Sequence, residues 1–231
     1  MNRDLSAWND EMYIRHPTPY GRGLAGIIQN ARVAAVIRLA DIRAVDAVLE
    51  IGCESGHLIV QIPRCRRRVG VDISVRALDD ARALAAERRQ SDIVFQQADA
   101  QEPLPFEPGD FDVIVCSEVL EHVPHPRRVV DNIHALSTAA TRVVVTVPIE
   151  GPKIAVKGLL TRLGVFRALF PNIEPGMSEW HLHRYSRKVL LEVIQGLFTL
   201  KAARNVWGCH WAALLAWMDP SQGTCKEGPA Q

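Results

Sequence analysis

The sequence predicts an α/β protein: a doubly wound, mostly parallel sheet of seven strands with helices on both faces. Three observations carry that expectation. Five strand-plus-helix units alternate along the chain, with apolar runs at Val48–Ile51, Val69–Ile73, Asp92–Ala98, Phe111–Ser117 and Arg142–Val147. The first run closes on a glycine-punctuated turn, the arrangement that aims backbone N–H groups at a ligand beyond the carboxyl ends of the strands. Two late runs, Thr199–Trp207 and Cys209–Met218, supply a sixth and a seventh strand.

In order, residues 1–23 read as irregular, punctuated by His16, Pro17, Pro19, Gly21 and Gly23. From Leu24 to about Asp41 the pattern is helical, with Ile27, Ile28, Ala31, Ala34, Ala35 and Leu39 on one side. A helix is expected from Gly56 to near Pro63, then a solvated loop of Arg64, Arg66, Arg67 and Arg68. Ser74 suits the N-cap of a helix Val75–Arg89, and Pro126 the first turn of a helix to Ser137. Pro148 stops the fifth strand. In the insertion 151–179, Val156, Leu159, Leu160, Leu163, Phe166 and Phe170 fall on one side of a helix flanked by Lys153, Lys157, Arg162 and Arg167. Ser186 caps a last helix, and the tail 219–231 is expected to be disordered.

Length and composition bound the reading. With 231 residues, 48% hydrophobic and 23% charged, the chain suits one globular α/β domain with a small appendage. A net charge of +1 excludes the broad basic face of nonspecific nucleic-acid binding, so no DNA partner is expected. The five cysteines form no close pair and suit a reducing cytoplasm. The first residues carry no apolar signal core.

The stretch A-V-L-E-I-G-C-E-S-G-H, Ala47 to His57, holds the chemistry. A dinucleotide fingerprint counted from Gly52 needs glycine at 54 and 57, where Glu54 and His57 stand. What fits is Glu50, then Gly52 and Gly56, and here the chain resembles class I S-adenosylmethionine (SAM) dependent methyltransferases, whose first motif reads E/D-x-G-x-G-x-G. The resemblance covers roughly residues 45–218 and implies a Rossmann-like fold, with 1–44 as a cap over the substrate or a helix packed on the sheet edge. It also implies that the Gly52–Gly56 loop passes the methionine end of SAM, with Glu50 orienting the loop or the amino group. Glu54 replaces the family's middle glycine, which leaves either a tolerated variant with its side chain in solvent or a weakened cofactor site. Asp72, about 20 residues beyond the loop, is placed for ribose hydroxyls. In the resemblance Asp99 meets the adenine amino group, Ala98 or Ala100 lines the adenine slot through its backbone, and Cys53, Ile73 and Ser117 complete the cofactor set.

Glu118, Glu121 and His122 stand at i, i+3 and i+4, so on one helical turn they share a face at the carboxyl edge of strand four. Such a set can hold a divalent cation such as Mg²⁺, or His122 can act as general base. S-E-V-L-E-H-V-P-H-P resembles ubiquinone-pathway O-methyltransferases. E-x-x-E-H with a later histidine is also similar to small-RNA 3′-end methyltransferases, where it binds metal. His181 or His183 is that later histidine. The expected activity is methyl transfer to oxygen of a small, lipophilic acceptor, with His122 and His181 at the reaction centre. An RNA 3′-end substrate and a SAM-binding protein without catalysis are the alternatives. Residues 153–170, as a basic amphipathic helix, can lie on an anionic membrane or cover a greasy pocket.

Overall fold

The computed structural model describes residues 5–15, 23–149, 158–169 and 181–219. The helices are α1 (Leu5–Arg15), α2 (Gly23–Ala40), α3 (Val75–Glu87), α4 (Pro126–Leu136), the single turn α5 (Phe166–Leu169) and α6 (Arg187–Ile194). The strands are β1 (Ala47–Ile51), β2 (Arg67–Asp72), β3 (Ile93–Gln97), β4 (Val113–Ser117), β5 (Arg142–Pro148), β6 (Phe198–Val206) and β7 (His210–Trp217). They form one sheet in the order β3-β2-β1-β4-β5-β7-β6. β1 pairs in parallel with β2 and β4, whereas β7 runs antiparallel to both β5 and β6. The order reverses between β1 and β4, and the crevice this leaves beyond their carboxyl ends is where an open α/β sheet takes its ligand.

Strand periodicity builds two cores. Leu49, Ile51, Ile114, Cys116, Val143 and Val145 face α4 and α6, which contribute Val129, Val130, Ile133, Leu190 and Ile194. The alternating residues Val48, Val113, Val115 and Val144 face α2 through Val33, Val36 and Leu39. Central strands buried on both faces read as continuous Val/Ile runs, which is what the sequence shows. Ser74 caps α3 by accepting from the Ala77 N–H, and Ser186 caps α6 from Val189.

Three expectations are corrected. Residues 5–15 form α1 rather than irregular chain; its internal periodicity is weak and only Met12 is buried. Polar contacts hold it instead: Ser6 Oγ donates to the Ile73 carbonyl at 3.0 Å and Tyr13 to Asp80 at 2.7 Å. The helix expected after Gly56 is only a 3₁₀ turn, Ile59–Gln61, because Pro63 leaves too few residues to close an α-helix and Ile59, Val60 and Ile62 are drawn into the core. The arginine run is not all solvated loop. Arg68 lies in β2, 1% exposed, bonded to the Ile62 carbonyl, Gln90 and Asp92.

Only 158–169 of the insertion is described. There two short helical stretches break at Gly164, which takes φ +71°. Phe166 is buried, whereas Leu159 and Leu163 are exposed, so these three do not share one side. Val156, Phe170, Lys153, Lys157 and the tail from residue 220 onward lie outside the described residues.

Candidate active site

The turn after β1 is fixed from both sides. Gly52 and Cys53 both donate to the Val71 carbonyl, at 2.8 and 3.0 Å, and Gly56 donates to Cys53 at 2.8 Å. Gly52 takes φ +71°, and a Cβ there would stand 2.2 Å from Val119 Cγ2, so only glycine lets the turn approach the chain leaving β4. Gly56, at φ +77°, would bring a Cβ to 3.1 Å from that of Ala81 in α3. The Cys53 thiol is buried against Gly70, and burial pushes its pKa up, which makes it a packing group rather than a nucleophile.

Glu54 adopts a left-handed φ of +47°, a region that favours glycine. Its N–H donates to Asp72 Oδ2 at 2.9 Å, so the ribose candidate also ties the β1 turn to β2. The other oxygen accepts from Ser74 N–H at 2.9 Å. Burial raises the Asp72 pKa, and these backbone donors oppose the rise. Helix α1 closes this end: Asp10 accepts from Ser74 Oγ and the Arg76 N–H. The Ile73 carbonyl takes Ser6 and Gln97. Asp99 accepts from Gln101 N–H at 2.9 Å, and Asn132 of α4 holds the Ala100 carbonyl at 2.9 Å. Glu50, Gly52, Gly56, Asp72, Ile73, Asp99 and Ala100 therefore all stand at the carboxyl ends of β1, β2 and β3, or in the turns that follow.

Glu50 is 2% exposed, and its Oε2 has no hydrogen-bond partner among the described residues. Burial raises its pKa well above the ordinary value, with the Arg32 charge as the largest opposing effect. Arg32, from α2, was not singled out in the sequence, where it reads as one basic residue in an apolar helix. It is 3% exposed and donates to Ser117 Oγ and, through Nε, to Gln29 at 2.8 Å. Ser117 Oγ in turn lies 2.9 Å from Thr146 Oγ1. Helix α2 thus packs on the sheet while delivering a buried cation to its carboxyl edge.

The expected triad does not share a helical face. Glu118 leaves β4 at φ +58°, so the chain makes a left-handed turn there and the i, i+3, i+4 geometry never forms. Its Oε1 accepts from Thr146 Oγ1 at 3.0 Å and its Oε2 lies 3.2 Å from His210 Nε2. Glu121 and His122 meet His181 instead. One carboxylate oxygen and one nitrogen from each imidazole lie within 4.8 Å of one another, with Glu121 fully buried. The His122 and His181 rings are 5.0 Å apart, edge to face. The Glu121 carbonyl receives the Leu182 N–H at 2.7 Å, which anchors the segment carrying His181. His183 is bonded to the Val123 carbonyl at 2.9 Å and plays that structural part.

The family model for a methyltransferase domain matches residues 42–168, more than half of the chain, and the chain belongs to that family. Among curated proteins it is 35% identical over 107 residues to the ubiquinone biosynthesis O-methyltransferase of Aeromonas salmonicida, covering 46% of this chain and 44% of that protein. It is 24% identical to the protein of that name from Acinetobacter baylyi, over 78% of this chain and 77% of the other. The chain thus spans less than half the length of the relatives it matches at higher identity. Similar solved structures include the N-methyltransferase NodS from Bradyrhizobium japonicum with S-adenosyl-L-homocysteine (SAH), at TM-score 0.64, 17% identity and coverage of 94% and 100%. Magnesium protoporphyrin IX methyltransferase from Synechocystis aligns at TM-score 0.66, 16% identity and coverage of 92% and 95%. These two likenesses establish the fold. Among the described residues no helix is long and apolar enough to cross a membrane.

Two substitutions read the turn. Gly52→Ala is expected to lose about 1–3 kcal/mol in denaturant unfolding through the clash with Val119, and SAM affinity with it. Glu54→Gly relieves a left-handed residue costing about 1–2 kcal/mol while adding unfolded-chain entropy of about 0.5–1 kcal/mol. The net expectation is a melting temperature equal to or slightly above wild type, with SAM binding kept. A third substitution reads Glu50. The folded protein holds that proton above the unfolded value near 4.5, so the unliganded carboxyl lowers stability as pH rises beyond it. Glu50→Gln is expected to flatten the melting temperature against pH and raise it at pH 8, while weakening SAM binding about tenfold or more.

Proposed function

We propose that the protein transfers a methyl group from SAM to a hydroxyl oxygen of a small, lipophilic acceptor. The observation that carries the reading is the orphaned, buried Glu50 oxygen beside the glycine turn, because a ligand ammonium there would restore the carboxylate's charge. Arg32 suits the carboxylate of the same amino-acid moiety, and Asp72 the ribose hydroxyls, with Asp99 and Ala100 beside the base. SAM when bound supplies a methyl already activated by sulfonium charge. The protein's work is then to align an acceptor and to take its proton.

Glu121, His122 and His181 are the groups for the acceptor side. One carboxylate and two imidazoles suit Mn²⁺, Fe²⁺ or Zn²⁺ better than the Mg²⁺ that the sequence suggests, since Mg²⁺ prefers oxygen ligands throughout. Without a cation, His122 is half-open and stands as a general base. The ubiquinone-pathway name of the relatives supports an oxygen acceptor. Methyl transfer from labelled SAM to a panel of phenols and catechols tests the reading. Turnover stimulated by Mn²⁺, removed by chelation and reduced about 100-fold or more in His122→Ala is expected. Turnover unaffected by both treatments contradicts a role for this cluster.

The exposed Leu159, Leu163 and Val165, with Arg162 and Arg167 exposed beside them, suit contact with an anionic bilayer surface from which a lipophilic acceptor is drawn. Co-sedimentation with vesicles of phosphatidylcholine and phosphatidylglycerol is expected for wild type and reduced at least several-fold in the double variant Leu159→Asp, Leu163→Asp. Wild-type protein that stays in the supernatant removes the bilayer contact.

A further inference from the structure

We propose that Trp207, at the tip of the β6–β7 hairpin, forms an acceptor-ring subsite: its indole covers one face of the flat aromatic or apolar ring that carries the accepting hydroxyl. This assignment rests on the methyl-transfer reading above. The groups given there to the acceptor, Glu121, His122 and His181, are polar, so the lipophilic part of the molecule needs a surface from elsewhere.

The turn and the residue in it are at odds. β6 and β7 are joined through a bond from the Cys209 N–H to the Val206 carbonyl at 2.9 Å, with Trp207 and Gly208 between them at φ +53° and +70°. Two left-handed central residues make a type I′ turn, which favours Asn, Asp or Gly at both positions. A bulky indole at the first is strained, and such strain gathers where a ligand is gripped. Burial does not offset it, because Trp207 is 62% exposed. Nor does packing press on the tip: beyond its chain neighbours, no described atom lies within 4 Å of where a Gly208 Cβ would stand. Asn205 holds the turn instead, its Oδ1 accepting from the Gly208 N–H at 2.6 Å.

The fold sets this tip on the acceptor side. β7 opens with His210 opposite Pro148, so the hairpin projects past the carboxyl end of β5. The Ile149 N–H donates to the Cys209 carbonyl at 2.8 Å, and His210 Nε2 stands 3.2 Å from Glu118 Oε2. The tip is thus tied to the chains leaving both β5 and β4. Three residues of chain span at most about 11 Å, so Trp207 stays within that distance of His210. The cofactor candidates follow β1, β2 and β3, on the other side of the strand-order reversal. Size then selects the occupant. One indole buries about 150–250 Å², enough for the face of a ring and too little to hold a protein on a bilayer or on a second copy. The other exposed residues of β6, Thr199, Lys201, Ala202, Arg204 and Asn205, add no large apolar side chain.

Trp207→Asn and Trp207→Phe test this, read by melting temperature, by SAH calorimetry and by methyl transfer to whichever panel phenol or catechol wild type uses best. Trp207→Asn suits the turn and is expected to melt at or above wild type. It should bind SAH within about threefold of wild type and raise the acceptor KM about tenfold, with kcat within about threefold. Trp207→Phe keeps a ring and is expected to recover most of the KM. An unchanged KM in Trp207→Asn overturns the subsite, and loss of vesicle co-sedimentation alongside it gives the indole to a bilayer instead. A KM in Trp207→Phe no better than in Trp207→Asn also overturns it, as does a lower melting temperature in Trp207→Asn, which makes the indole part of the fold's own packing. Should wild type bind SAH yet methylate no panel member, the small-acceptor reading falls by itself. Quenching of indole fluorescence by the panel phenols in the SAH complex then decides Trp207. Quenching larger in wild type than in Trp207→Asn supports the subsite, and equal quenching or none overturns it.

Discussion

The close approach between the turn after β1 and the chain leaving β4 is the constraint on which the site depends. Gly52 has no room for a side chain because Val119 already fills it, and Val119 is there because Glu118 turns left-handed at the end of β4. The two segments belong to neighbouring parallel strands at the reversal of strand order, so closing this gap shapes the cofactor side and the acceptor side together. Asp72 reinforces the contact from β2 by bonding the Glu54 N–H. One turn, held by three strands, thus places Glu50 and Asp72 on one side and Glu118 on the other.

The same edge concentrates groups that burial disfavours. Glu50 and Asp72 both have raised pKa values caused first by desolvation, and Arg32 and His210 are almost wholly buried with them. A fold selected for stability alone would replace such groups with apolar ones. Their retention at the ligand edge, above cores of Val, Ile and Leu, marks where stability is given up for recognition. Arg68 makes the contrast: equally buried, at the opposite end of β2, it is bonded to a carbonyl, an amide and a carboxylate and holds structure only.

Much of this was legible in the sequence for physical reasons. Central strands buried on both faces are continuous apolar runs, so β1, β2, β4 and β5 read to within about two residues, whereas the edge strands β3 and β6 are only partly buried and read from the turns that bound them. The Gly52–Gly56 turn and Asp72 were legible because glycine and an acid at a strand tip have few other uses at that spacing. What could not be read was long-range. The meeting of Arg32 with Ser117, 85 positions on, depends on how α2 crosses the sheet. His210 reaches Glu118 only because β7 inserts antiparallel between β5 and β6, a register that local pattern does not encode. The place of Glu118 is not legible either, because helical spacing presumes a helix and a left-handed residue at the strand end prevents one. Helix α1 was missed because polar bonds to α3 and the β2 tip, not an apolar stripe, hold it in place.

Everything at the site rests on SAM binding at this carboxyl edge through a turn that carries Glu54 between its two glycines. Isothermal titration of the protein with SAM and with SAH, alongside Asp72→Asn, tests it most directly. One site for either ligand is expected in wild type, with both affinities lowered in Asp72→Asn while the fold is kept by circular dichroism. No heat from either ligand with folded wild-type protein, or equal affinities in the two proteins, would contradict it.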